Sequence, residues 1–378
     1  MPRSTPISRL AGRAALAAVL VSALVASAAA QGPPGGPPPE RQSERMAGPP
    51  PPMESSQGWR VRAAPQTDLW FHTLAVIAAD QPGPLGLYSA EYARHIREVK
   101  QQMGVYPTEL DSLAPDLRSQ IGEDRKLETL HFVPLYFPNA QPMQMLEAIR
   151  AATKGRGPER GGAGMSYGSF VIMQVSQDGK TRRLLEKLAD VAENEWNVFY
   201  RSYWDSIQAQ QDSLASAMEL MWDTQLEPGL QTFLERHRLT GGLIMPSQAL
   251  GPEGRIVELQ EMNAGDQVVA VQEPLAARGP EATVFAFLKE LCFLLVDENK
   301  LADSTLAPDA LENLRRTAAV RCGATILDFY APQQAARYRR TFLDAVGAED
   351  AATVEAFQRV YYLDPAIAER IHQQIRTR

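Results

Sequence analysis

An α+β fold, mostly helical with one small β-sheet, is what this chain of 378 residues predicts. Three observations lead there. After residue 66 most segments carry apolar residues at helical spacing, separated by Gly- and Pro-containing breaks. From Gly242 to Val271 the pattern changes to short β-type runs divided by Gly251-Pro252-Glu253-Gly254 and Asn263-Ala264-Gly265-Asp266, both turn signals. Directly after them comes an apolar helix, Pro280 to Val296.

Residues 1–30 read as a secretory signal. Arg3, Arg9 and Arg13 precede an apolar run from Ala14 to about Val25, and Ala28-Ala29-Ala30 offers a cleavage site. The mature chain is expected to be exported, to the periplasm or outside the cell. That run is short and alanine-rich, and no later stretch reaches the roughly 18 uninterrupted apolar residues of a membrane span. Without the three leader arginines the basic count falls from 38 to 35 against 45 acidic residues, a net charge of −10. This balance argues against nucleic acid as a partner. Residues 31–66 read as a Pro/Gly-rich disordered linker, with too few apolar groups to offset the entropy of ordering. Residues 67–378 are then the folded domain, helical over about 67–239, with the sheet and later helices over about 240–378.

The first helix is expected near Thr67 to Ala79 and the second from N-cap Ser89 to Met103, stopped by Gly104. Thr108 and Ser112 open short helical pieces, and Pro142 to Thr153 forms another helix. Lys154 to Gly168 reads as a loop, Phe170 to Val175 as a strand, and Gln177-Asp178-Gly179-Lys180 as a turn. A long helical region spans about Arg182 to Asp223, with Trp196, Phe199, Tyr200, Tyr203 and Trp204 as an aromatic band suited to core packing. Glu227-Pro228-Gly229 is a break before a short helix to about Leu239. Strands follow at Gly242–Met245, Arg255–Gln260 and Gln267–Val271. Four helices close the chain, roughly 308–330, 332–347, 349–362 and 365–377.

Between Glu281 and Asp297 the only charges are Lys289 and Glu290, in the sequence Lys289-Glu290-Leu291-Cys292-Phe293. Buried charges need partners. The motif matches His-Glu-x-x-His with its glutamate kept and both histidines replaced. Eighteen residues separate Phe293 from Glu312, which opens Glu312-Asn313-Leu314-Arg315-Arg316-Thr317. In a zinc peptidase, histidines at i and i+4 share one helix face and bind the metal, the glutamate activates its water, and a distant carboxylate is the third ligand. Phe293 cannot bind a metal, and Lys289 must first lose a proton with a reference pKa of about 10.4. Zinc is therefore expected to be lost, and no cofactor is predicted.

These residues resemble a bacterial zincin-like, metallopeptidase-like family of unknown function, of the two-histidine-plus-glutamate type. Its His-Glu-Phe-x-His plus Phe-Val-Asn pattern is similar to Lys289 through Asn299, and its Glu-x-x-x-Arg-Ala segment to Glu312 through Thr317, where Thr317 departs from alanine. Asp68 to Ala75 looks like the family's first helix, and Tyr92 to Met103 with Gly104-Val105-Tyr106 like its second. The resemblance implies a zincin-like fold with the sheet beside the pseudo-active-site helix, and an edge strand that pairs with an extended peptide in active members. Glu290 becomes a vestigial general base; Lys289, Phe293 and Glu312 occupy former metal-ligand positions, supported by Arg316. The Lys289 ammonium is expected to take roughly the metal's place and pair with Glu312; the alternative is that Lys289 reaches out to solvent and Glu290 caps a loop.

Cys292 and Cys322 are the two cysteines. A disulfide between them would close a loop of about 30 residues, worth roughly 3 to 4 kcal/mol; the alternative is two free, buried thiols. His72, His95, His131, His237 and His372 have no second histidine at i+3 or i+4, so each reads as a structural residue. The leading functional reading is an exported pseudo-metallopeptidase with a binding or structural role, its partner unknown but suited to an extended peptide or protein in a cleft. The alternatives are a hydrolase with an altered site using Glu290, and an unrelated helical exported protein.

Overall fold

The computed structural model describes residues 58–79, 87–122, 125–155, 163–258, 266–275, 279–296, 308–348 and 353–376. The chain divides into two units, Met1–Pro52 and Met53–Arg378, and all of the described residues belong to the second. The residues expected to form the signal, and most of those expected in the linker, lie outside the described residues.

A strand, β1 (Gly58–Val61), precedes four helices and a 3-10 segment: α1 (Pro65–Ala78), α2 (Ala90–Gln102), α3 (Glu109–Gly122), the 3-10 segment Arg125–Tyr136, and α4 (Pro142–Thr153). After α5 (Ala163–Val175) come α6 (Gly179–Glu195), α7 (Arg201–Met221) and α8 (Glu227–His237), joined end to end by π-helical turns at Trp196–Tyr200 and Trp222–Leu226. Strands β2 (Gly241–Ser247), β3 (Arg255–Glu258) and β4 (Asp266–Gln272) lead to α9 (Glu281–Leu295), α10 (Pro308–Tyr330), α11 (Pro332–Ala345), α12 (Val354–Val360) and α13 (Pro365–Arg376). The fold is α+β and mostly helical, and no helix of the described residues is long and apolar enough to cross a membrane.

Local chemistry accounts for the element ends. Ser89 caps α2 by accepting from the Tyr92 N–H, and Gly104 ends it at φ +70°, where a Cβ is costly. Asp178 accepts from the N–H groups of Lys180 and Thr181 to start α6, so the expected turn is a helix cap. Pro142 and Pro332 stand in first turns, where a missing N–H costs nothing.

The strand order is β1-β2-β4-β3, with β1, β2 and β4 parallel and β3 antiparallel on the edge. Both faces are covered. Met245, Val257, Val268 and Ala270 enter one core with α1, α4 and α6, while Ile244, Val269 and Val271 enter a second with α9 and α10. This division follows from side-chain alternation along a strand, and explains why β2 and β4 read as nearly continuous apolar runs. Helix α9 lies against β4.

Four expectations are corrected. Residues 58–66, expected in the linker, hold β1 and the start of α1: Gly58–Val61 pairs with Gly241–Ile244, and the Trp59 indole donates to the Leu239 carbonyl at 2.9 Å. Phe170–Val175 is the second half of α5, because a short apolar run fits a buried helix as well as a strand. Residues 163–168, expected in a loop, are its first half. Glu227-Pro228-Gly229 does not break the helix; Pro228 falls in the first turn of α8, directly after a π turn. The aromatic band packs inward, with the Phe199 and Tyr203 rings stacked at 5.6 Å.

A Cβ on Gly242 would stand 2.3 Å from the Gln267 carbonyl and 2.7 Å from the Trp59 ring, whereas one on Gly279 meets nothing within 4 Å. Gly242→Ala is therefore expected to destabilise by about 1–3 kcal/mol through overpacking. Gly279→Ala should stay within about 0.5 kcal/mol. Urea unfolding of the two variants checks this.

Candidate functional site

Lys289 and Glu290 are both buried in α9, facing the loop that leads into β3. The Lys289 ammonium lies 2.5 Å from Glu290 Oε1, donates to the Pro252 carbonyl at 2.7 Å, and stands 5.3 Å above the Phe293 ring. Glu290 Oε1 also accepts the Gly254 N–H at 2.8 Å. This approach depends on glycine: a Cβ at Gly254 would lie 2.4 Å from the Ala270 carbonyl and 2.6 Å from Glu290 Cγ.

Helix α10 supplies the opposite wall. Glu312 is 3.7 Å from both Arg315 and Arg316, at i+3 and i+4 on its own helix. Arg316 also pairs with Glu253, and Arg255 approaches Glu253 at 3.9 Å. The Arg315 guanidinium lies 5.8 Å from the centre of the Phe293 ring, so one phenyl group meets a cation from each helix.

Lys289, Glu290, Phe293, Glu312 and Arg316 thus gather at one junction of α9, α10 and the 251–254 loop. One expected contact is corrected. Lys289 pairs with Glu290 and the Pro252 carbonyl, while Glu312 is taken by its two arginines, which already lie on its own helix face. Glu253, read in the sequence only as part of a turn, joins α10 to the loop. Burial lifts its pKa to about 7 against the pull of Arg316, Arg255 and Lys289. An ammonium, a phenyl ring and an arginine-paired carboxylate do not fit zinc.

Cys292 and Cys322 are free, buried thiols on facing helices. Burial and the neighbouring Cys322 thiol push the Cys292 pKa well up. Among the described residues, no group of three or more His, Cys, Asp or Glu is arranged to hold a metal.

A second polar centre, which sequence reasoning did not find, lies where α6 passes into its π turn. His72 Nε2 is 2.9 Å from Glu195 Oε1, and His72 Nδ1 is 3.0 Å from the Tyr92 hydroxyl. Lys100 Nζ is 2.7 Å from Glu195 and 2.8 Å from Asp111, and donates to Thr108 at 3.1 Å; Thr108 donates to Glu195 Oε2 at 2.7 Å. His72, Lys100 and Glu195 are completely buried. Desolvation lowers the His72 pKa, so its neutral ring donates from Nε2 to Glu195 and accepts from Tyr92 at Nδ1. Burial alone would raise Glu195, but the His72 hydrogen bond and the Lys100 charge hold it down at about 2. Only the Thr108-x-x-Asp111 spacing, a helix-start signal, is visible locally; the other partners are far apart in sequence.

Comparison with family models, curated proteins and solved structures finds no match to this chain.

Glu195→Gln is expected to destabilise by about 3–5 kcal/mol, because it leaves a buried ammonium with less compensating charge. For a depressed carboxylate the stability is present above the unfolded pKa and lost as pH falls through the folded one. The contribution of Glu195 should therefore fade from about pH 4.5 towards 2. Urea unfolding of both proteins between pH 3 and 7 should show the gap narrowing at the acid end.

Proposed function

We propose that this chain is an exported, zincin-like protein that does not perform zinc-dependent hydrolysis and serves a binding or structural role. One observation supports the reading most: Lys289, from the first former ligand position, is held at 2.5 Å from Glu290, the residue that would activate the metal-bound water. A fixed ammonium there leaves Glu290 satisfied by Lys289 and the Gly254 N–H, with no acidified water to act on. Phe293 fits the same reading, offering its ring face to Lys289 and Arg315. The charges of the junction then serve to tie the 251–254 loop, α9 and α10 together. A partner would be a peptide or protein, in keeping with the acidic net charge.

The test is zinc content after purification in zinc-containing buffer, for the native sequence and for Lys289→His combined with Phe293→His. Less than about 0.1 zinc per chain is expected in the former, and close to one in the latter with Glu312 as third ligand. Stoichiometric zinc in the native protein, or hydrolysis of a peptide library abolished by Glu290→Gln, would overturn the proposal.

A further inference from the structure

The carboxyl ends of two parallel strands are the usual place for a ligand in a sheet covered on both faces. Here β2 and β4 end side by side, Ser247 opposite Gln272, and the Glu273 N–H donates to the Ser247 carbonyl at 2.9 Å. Above these ends stand Asp68, from the first turn of α1, and Gln211, from α7. Asp68 shares a hydrogen bond with the Ser247 side chain. Glu273 Oε1 accepts from Gln211 at 3.1 Å and from Gln248 at 3.0 Å, and the Tyr203 hydroxyl donates to Gln248 at 3.4 Å.

Asp68, Gln211 and Glu273 are 6%, 1% and 4% exposed. Among the described residues two acceptor atoms here have no partner: Glu273 Oε2 and Gln211 Oε1. A buried acceptor left without a partner is destabilising. Among the described residues no lysine or arginine acts on either carboxylate, in contrast to the junction of α9 and α10 and to the Glu195 centre. The side-chain donors are all oxygens: two carboxylates, two amides and a hydroxyl. Oxygen donors select hard cations, and two carboxylates balance a double charge. A mixed set of carboxylate, amide and hydroxyl oxygens suits Ca²⁺, which accepts irregular coordination, better than Mg²⁺, which demands a near-ideal octahedron.

We propose that Asp68, Glu273 and Gln211, with Ser247 alongside, bind a hard divalent cation of the Ca²⁺ type at the carboxyl ends of β2 and β4. The ion would fasten α1 and α7 to the sheet. The proposal is independent of the zinc reading, because it concerns different residues and a different class of metal.

The experiment is calorimetric titration and thermal melting of the chelator-treated full chain with CaCl₂, against MgCl₂ and KCl, at about 0.15 M ionic strength to suppress surface binding. One saturable Ca²⁺ site is expected, with a rise in Tm of several degrees near saturation. Mg²⁺ should act more weakly and K⁺ not at all. Glu273→Gln and Asp68→Asn should each weaken binding at least tenfold, whereas Asp212→Asn, on the exposed side of α7, should leave it unchanged. Absence of saturable binding by the native chain up to about 10 mM Ca²⁺ would overturn the proposal. So would an unchanged affinity in either site variant; should one fail to fold, the other and the native titration decide.

Discussion

Burial of both faces of the four-stranded sheet is the constraint on which the rest of the structure depends. A strand alternates its side chains, so a sheet covered on one side needs one core and a sheet covered on both needs two. Met245 and Ala270 commit one face to the amino-terminal helices, and Ile244 and Val271 the other to α9 and α10. Polar atoms at the ends of β2 and β4 and in the 251–254 loop are then enclosed with little access to water, as at Ser247, Glu253 and Glu273. Each must find a partner within the protein or in a ligand.

The three polar centres meet that demand differently. At the junction of α9 and α10, Glu253, Glu290 and Glu312 stand among Lys289, Arg255, Arg315 and Arg316, so acidic and basic groups alternate across three chain segments. At the end of α6, Glu195 receives hydrogen bonds from Thr108, Lys100 and neutral His72, and every group named there has a partner. The carboxyl ends of β2 and β4 lack this closure. Two carboxylates share one hydroxyl and two amides, with two acceptor atoms unmet among the described residues. That contrast within one protein is what marks the third centre as a place for a ligand.

How much was legible in the sequence follows the range of the interactions. Pro142–Thr153 is found to the residue because a first-turn proline and helical spacing define it locally, and the strands at β2 and β4 are bracketed by glycine-rich turns. Strand β1 is not visible locally, since its four residues become a strand only by pairing with Gly241–Ile244. The π turns have no local signature distinct from the α-helix around them. Gathering of Lys289, Phe293 and Glu312 was readable from motif spacing. Their partners were not, because Glu253 arrives from a loop across the fold and an arginine three or four residues from Glu312 competes with any long-range cation.

Lys289 and Phe293 make physical sense together. If a dication once stood at this junction, its removal would leave Glu290, Glu253 and Glu312 facing a shared, poorly solvated space, where like charges repel and each must be neutralised or protonated. A lysine at the first ligand position returns one positive charge to Glu290 on a tether that cannot diffuse away. A phenylalanine at the second removes a polar ring that would need hydrogen bonds, and its quadrupole attracts both Lys289 and Arg315. Neither substitution alone accomplishes this: lysine beside a histidine would add a polar ring to satisfy, and phenylalanine beside a histidine would leave Glu290 without a permanent cation. Under the proposed reading, the pair is a single exchange of metal coordination for a tethered charge, which would preserve the packing of α9 on the sheet while giving up the chemistry.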